Sequence, residues 1–298
     1  MTNTLVQNFS NIEALNFMLT NRIPHNLSTK LMGKFSRLKN PTITKLSIGL
    51  WKHFVDDLRL DEASSNQFSS LHECFIRELK PGARPINPQA DIITSPCDAV
   101  VGAFGNIEDT KLYQIKGFPY HLDDLLGHYL NLEKYRNGRF LTLRIKSSMY
   151  HRFHAPVDCK LNKIHYIAGD TWNVNPIALK RVEKLFCKNE RAILDLDLPE
   201  KQGAIALIPV AAILVASMKF NCLDDTLDMD FKGPSTLSCD ATYNKGDEMG
   251  YFQHGSTIVM LFSDDYNFQP TLKEGSIIRV GEAIMFREHQ TLKNKVSE

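Results

Sequence analysis

Paired cysteines at metal-binding spacing are missing from this chain. Its six cysteines, at 74, 97, 159, 187, 222 and 239, include no CxxC pair and no zinc-ribbon spacing, and 298 residues far exceed a disulfide-stapled miniprotein. They read as reduced thiols in a cytosolic setting. An excess of one charge is missing too: 35 basic residues against 34 acidic leave a net +1, which excludes a global field suited to wrapping nucleic acid. The opening MTNTLVQNFSNIEALNF has neither a basic start nor a continuous apolar stretch, so it reads as no secretory signal and the body is expected in the cytoplasm. The longest nearly apolar run, Ala204 to Met218, falls short of the ~20 residues of a spanning helix and contains Pro209, so buried core is its expected fate. Long repeats and low-complexity tracts are absent.

What is present is a folded composition, 43% apolar and 23% charged, long enough for one large domain or two modest ones. Between Glu13 and Asp56 stand Arg22, Lys30, Lys34, Arg37, Lys39, Lys45 and Lys52, with no acid. Within that stretch Leu27, Leu31, Phe35 and Leu38 recur at helical spacing between Pro24 and Pro41, with Lys30, Lys34 and Arg37 beside them. A second helix is expected over Ser47 to Leu60, with Leu50, Trp51, Phe54 and Leu58 near one face. Such helices suit either a membrane interface or ordinary packing on the body. From about residue 90 the texture changes to short β-branched and aromatic runs, as in RFLTLRI, AILDLDL and STIVMLF, with helical exceptions at Leu122 to Leu130 and Pro176 to Phe186. The expected class is α+β: N-terminal amphipathic helices, then a β-rich body. Ser95-Pro96-Cys97-Asp98 and Ala155-Pro156-Val157-Asp158 form a weak internal echo, each a Pro-x-Asp turn leading into a strand.

Three segments carry chemistry. Lys245-Gly246-Asp247-Glu248-Met249-Gly250-Tyr251-Phe252-Gln253-His254-Gly255-Ser256-Thr257 precedes the apolar run Ile258 to Phe262; Tyr150-His151-Arg152-Phe153-His154-Ala155-Pro156 lies upstream; and Ser95-Pro96-Cys97-Asp98 follows Phe75-Ile76-Arg77-Glu78-Leu79 and Arg84-Pro85-Ile86. Together they resemble the KGxEMGxFxxGST, YHRxHxP and PxDG motifs of the bacterial phosphatidylserine decarboxylase family. Leu185-Phe186-Cys187-Lys188-Asn189-Glu190-Arg191, Gly169-Asp170 and Val174-Asn175 extend the similarity over most of residues 70 to 285. The resemblance implies a helical membrane-associating region over 1–70 and a catalytic domain over 71–298, cut between Gly255 and Ser256.

It implies further that His154 is a base, that Asp98 orients its ring, and that Ser256 attacks the carbonyl of Gly255, where a missing Cβ leaves the carbonyl open. The amide becomes an ester, elimination leaves dehydroalanine at 256, and hydrolysis gives a pyruvoyl group and ammonia. That covalent cofactor, made from Ser256, condenses with a substrate amine and accepts electrons as carbon dioxide leaves. His151 is the expected proton donor to the substrate carbon. No metal is expected, because His151 and His154 at i and i+3 of an extended strand point to opposite faces unless the chain bends.

His254, Ala99 and Cys159 depart from the family pattern, each in a functional segment, which puts the rate of maturation in question. The implied partners are phosphatidylserine and an anionic membrane surface met by Lys30, Lys34 and Arg37. Association of the two cleavage chains and a homodimer are further expectations, with a peripheral place on the cytoplasmic face of the cell membrane. Arg144, Lys146 and Arg152 stand as unranked candidates for the lipid phosphate. Rival readings are a pyruvoyl decarboxylase of a soluble amino acid, an unprocessed lipid-binding relative, and a serine hydrolase, the last opposed by the lack of G-x-S-x-G.

Overall fold

The computed structural model describes residues 25–55, 57–113, 119–199, 202–212, 217–228, 230–253 and 256–287. His254 and Gly255, and residues 213–216 of the apolar run, lie outside them.

Helices come first. His25–Ser36 follows Pro24 as expected, but the second helix is Pro41–Phe54 rather than Ser47 to Leu60. The Asn40 side chain caps it, accepting from the amides of Thr42 and Ile43, and Pro41 fits a first turn that needs no N–H; Val55 turns extended and ends it. Trp51 packs at a tilt against Phe75 of the short helix Leu71–Phe75, with ring centroids 4.5 Å apart. Leu50, grouped by spacing near the same face as Trp51, points outward. The two expected later helices are also shortened. Leu122–Leu126 stops at Gly127, whose φ is +58, and the second splits into Pro176–Leu179 and Leu185–Lys188, with Lys184 left-handed between them.

The body is built on an eight-stranded antiparallel sheet in the order Thr236–Tyr243, Cys159–Ile167, Arg191–Leu196, Ile205–Ala211, Ser256–Phe262, Arg139–Ile145, Ala99–Asn106, Ile277–Ile278. Side chains alternate between its faces, so each face owns a core. Ile258, Met260 and Phe262 pack with Leu143, Leu194 and Leu207 on one side; Val259 and Leu261 pack with Leu125, Phe186 and Ile208 on the other. All seven side chains of Ser256–Phe262 are buried, which explains its unbroken apolar run. Pro209 sits in the next strand, between the pairs Arg191–Val210 and Leu194–Leu207. It has no N–H for that ladder.

A second sheet, in the order Thr226–Asp228, Ser217–Phe220, Glu248–Phe252, Arg152–His154, places the histidine segment against the residues just before Ser256. The two Pro-x-Asp turns lie side by side, with the Thr94 amide donating to the Pro156 carbonyl at 3.1 Å and the His154 amide to that of Pro96 at 2.8 Å. Cys222 and Cys239 form a disulfide, correcting the expectation of reduced thiols throughout. Cys222 follows Ser217–Phe220 and Cys239 lies where the register of Thr236–Tyr243 shifts, which brings their Cα atoms to 5.4 Å.

Candidate active site

Asp98 ends its turn with a side chain only 1% exposed, and a carboxylate that dry must be paired. Its Oδ1 accepts from Arg84 Nε at 2.8 Å and the Val280 amide at 3.0 Å; its Oδ2 accepts from Arg84 at 2.5 Å and Arg279 at 3.1 Å. Arg279 also holds Asp57 at 2.7 Å, and Arg84 lies 2.9 Å from Glu62 as an ion pair without hydrogen-bond alignment. Burial pulls the Arg84 pKa down, but Asp98 and Glu62 more than offset it and hold the guanidinium above its usual range. Asp98 is thus the hub of a charge network, and no hydrogen bond joins it to His154.

His154 is held by others. Gly246 adopts φ +92, a conformation closed to most side chains, and its carbonyl accepts from His154 Nδ1 at 2.8 Å. That fixes the tautomer, so Nε2 accepts from the Tyr150 hydroxyl at 3.0 Å. Gly250 has a different reason to be glycine: a Cβ there would meet the Lys219 carbonyl at 2.2 Å. His151 has no exposed surface. One ring nitrogen, Nε2, donates to the Ser147 carbonyl at 2.9 Å, while Nδ1 has no partner. Burial, aided by Arg77, pulls its pKa down to about 4, and burial also lowers His154. The Asp98 charge opposes that fall at both rings.

Ser256 opens the central strand, paired with Ile145 on one side and Ala211 on the other. It is fully buried and its Oγ has no hydrogen-bond partner; neither has the Thr257 hydroxyl. Unpaired buried hydroxyls are uncommon and ask for a reason. The Phe252 amide donates to the His151 carbonyl at 3.0 Å, tying the histidine segment to the approach to Ser256. Neither imidazole is bonded to Ser256, so the described residues do not form a closed triad. The expected scissile carbonyl, that of Gly255, and the departing residue His254 lie outside the described residues.

The basic candidates separate by contact. Arg152 is a structural clasp: it meets both Glu248 oxygens at 2.8 and 3.0 Å, donates to the Ile76 carbonyl, and lies over the Tyr251 ring. Lys146 is exposed. Arg144 is half-buried, burial lowers its pKa, and no carboxylate meets it among the described residues. Of the expected membrane residues, Lys30 pairs with Asp230 at 2.9 Å, Arg37 donates to Gln253 at 2.6 Å, and Lys34 is exposed. Two of the three are tied to the body. The helices and the turn after the first also expose apolar side chains, Leu31, Phe35, Leu38, Ile43, Leu46 and Leu50, beside the exposed Lys34, Lys45 and Lys52.

Sequence reasoning passed over Tyr150 as an imidazole partner, Arg279 and Asp57 as parts of the Asp98 network, and Glu190 as a buried acid. The adjacency of Tyr150 to the histidines was the one available signal; the others meet through long-range pairing alone.

On comparison with known proteins, the model of a family described as phosphatidylserine decarboxylase matches residues 71–286. A phosphatidylserine decarboxylase proenzyme of Brevibacillus brevis is 31% identical over 271 residues, covering 89% of this chain and 95% of its own. That of Shewanella putrefaciens is 32% identical over 288 residues, with 91% and 95% covered. That of Aliivibrio fischeri is 35% identical over 271 residues, with 87% and 93% covered. A family match over residues 71–286, together with relatives of this identity over most of the chain, leaves one conclusion: the chain belongs to the phosphatidylserine decarboxylase family.

Proposed function

We propose that this chain is a self-processing decarboxylase that converts phosphatidylserine to phosphatidylethanolamine and carbon dioxide, with Ser256 as the residue cut and converted. The observation that carries the reading is the buried, unpartnered Ser256 Oγ at the first position of the central strand. A hydroxyl with no structural bond to lose is free to act as a nucleophile. The family relatives are named as proenzymes, which accords with a chain that must be processed.

The residues present fit a pyruvoyl group at position 256, because that face of the strand already keeps a polar atom dry and unpaired. Such a group supplies the electron-withdrawing carbonyl that takes up the electron pair released with carbon dioxide. The protein's part is to hold protons and exclude water. His154 serves as base for Ser256, its ring steadied by Gly246 and Tyr150. Asp98 serves through its charge and its grip on Arg84 and Arg279. His151 handles the proton of the decarboxylation step. Arg144, half-buried without a carboxylate, pairs with Thr257 and so stands on the sheet face opposite Ser256, which leaves the lipid phosphate unassigned among the three basic candidates. The outward apolar face of the N-terminal helices, with Lys34 beside it, suits peripheral contact with an anionic membrane.

One observation favours a second assignment of the histidines. His151 Nδ1 is a buried lone pair with no partner, whereas His154 Nε2 is occupied by Tyr150, so His151 is the imidazole with a base nitrogen at liberty. Gels of His151→Ala and His154→Ala decide between them, since only the variant that lacks the base for Ser256 should stay uncut.

Mass spectrometry of the purified protein tests the main reading. Two chains are expected, residues 1–255 and 256–298, the smaller beginning with a ketoacyl group, and Ser256→Ala should remain one chain. An ordinary serine at the start of the small chain of active protein refutes it, because simple hydrolysis leaves an amine. Carbon dioxide released from free amino acids but not from phosphatidylserine vesicles would move the substrate to the soluble class.

A further inference from the structure

Glu190 is a buried acid that the reading above leaves without a task. It lies between the helix Leu185–Lys188 and the strand Arg191–Leu196, has no exposed surface, and neither carboxyl oxygen has an aligned hydrogen-bond partner. A carboxyl kept that way costs stability, so its retention asks for a use.

The register gives its position. Arg191 pairs with Val210, and the Ala211 amide donates to the Glu190 carbonyl at 2.9 Å, so Glu190 stands across from Ala211. Ala211 pairs in turn with Ser256. Cross-strand partners share a face, and Ala192 and Leu194 pack in the same core as Ile258 and Met260. Glu190, Ala211 and Ser256 therefore stand in a row on one face, with a single methyl between acid and hydroxyl. Two strand spacings set their Cα atoms about 10 Å apart. The titratable groups facing the carboxyl are Tyr166, whose hydroxyl donates to the Asp228 carbonyl at 2.8 Å, and Asp228 itself. Burial first, then the Asp228 charge, raise the Glu190 pKa to about 8 against the opposing pull of Tyr166. At neutral pH the group is a protonated acid.

We propose that Glu190 is the acid that completes the conversion of Ser256, protonating the side-chain carbon of residue 256 after the chain is cut. The proposal rests on the reading that Ser256 is the residue converted. Elimination breaks the Cβ–Oγ bond and leaves a double bond between Cα and Cβ with an amine on Cα. As the nitrogen lone pair forms C=N, the C=C pair takes the proton of Glu190, whose O–H bond breaks, and Cβ becomes a methyl carbon. Water then adds to Cα and returns a proton to the Glu190 carboxylate. Ammonia leaves with the hydroxyl proton, so the acid is regenerated and no oxidant or reductant is consumed.

Full-length chains made by cell-free translation are followed over time, by gel for cutting and by a hydrazide label for a carbonyl on the small chain. In the parent, labelling should keep pace with cutting at pH 7 and lag as the pH rises through about 8, where the acid ionises. Glu190→Gln should cut at the parental rate but acquire the carbonyl at least about tenfold more slowly at pH 7, without the further alkaline lag. Glu190→Asp, an acid on a shorter arm, should fall between them. A glutamine variant that labels as fast as it cuts, or that is not cut at all, overturns the proposal alone; a parent that is never cut removes its premise with it.

Discussion

The two imidazoles stand three residues apart, yet each commits a different nitrogen to a backbone carbonyl: Nδ1 of His154 to Gly246 and Nε2 of His151 to Ser147. What is left over differs as well. His154 keeps an Nε2 that Tyr150 already bonds, and His151 keeps an unpartnered Nδ1 with a pKa near 4, so at neutral pH it is unprotonated. If His154 is the base for Ser256, His154→Ala should stall the chain uncut, while His151→Ala should cut and lose turnover by the ~10²–10⁴-fold typical of acid-base groups. Gels for cutting, then carbon dioxide release per mole of cut protein, separate the steps; the reverse pattern makes His151 the base. Asp98→Asn should behave unlike either. It removes the charge that holds Arg84 and Arg279, and breaking a buried ion pair costs ~3–5 kcal/mol, so its unfolding midpoint should drop along with its cutting. A midpoint equal to the parent's would mean that the network adds nothing to stability.

At the scale of elements, the sequence was most legible where alternation and length were local. RFLTLRI and STIVMLF are the strands Arg139–Ile145 and Ser256–Phe262, residue for residue. Helix ends were less so, because Asn40, Gly127 and Lys184 set them through caps and left-handed turns that apolar spacing does not report. The outward face of the N-terminal helices stayed open for a related reason. Periodicity locates a stripe but not which side the body covers, so it left the apolar face of these helices equally suited to a membrane interface or to packing on the body. Leu46 is 73% exposed and Leu50 59%, and burying a leucine in a membrane interface is worth up to ~1.5–3 kcal/mol. A lysine near an anionic surface contributes ~1 kcal/mol. Replacing Leu46 and Leu50 with glutamine should therefore reduce sedimentation with phosphatidylserine vesicles more than replacing Lys30, Lys34 and Arg37, two of which are already engaged. If the charge variant loses more binding, or neither variant loses any, the apolar face is not the contact.

Across the whole molecule, what stayed hidden in the sequence is what joins distant residues: Arg279 with Asp98, Ala211 with Glu190 and Ser256, Cys222 with Cys239. No composition or spacing encodes those pairings; the sheet register does. The same register bears on what cutting before Ser256 would do. The ladder begins at Ser256 itself, and the strand is hydrogen-bonded along its length to Arg139–Ile145 and to Ile205–Ala211, both in the other fragment. Three further strands of the small fragment also join larger-fragment structure: Ile277–Ile278 pairs with Ala99 and Val100, Ala283–Arg287 with Ile92–Thr94, and Tyr266–Phe268 completes that sheet. Arg279 adds ion pairs to Asp57 and Asp98. A central strand with both faces buried cannot leave without opening both cores. The mature protein should thus elute from a sizing column as one species containing both chains and separate only in denaturant, with a single cooperative unfolding transition shared by the fragments. Arg279→Gln, which removes the ion pairs that tie the small chain to Asp57 and Asp98, should be the variant in which the small chain is lost most readily. Recovery of the two chains apart under native conditions would show that the strand is held more weakly than its place in the sheet requires.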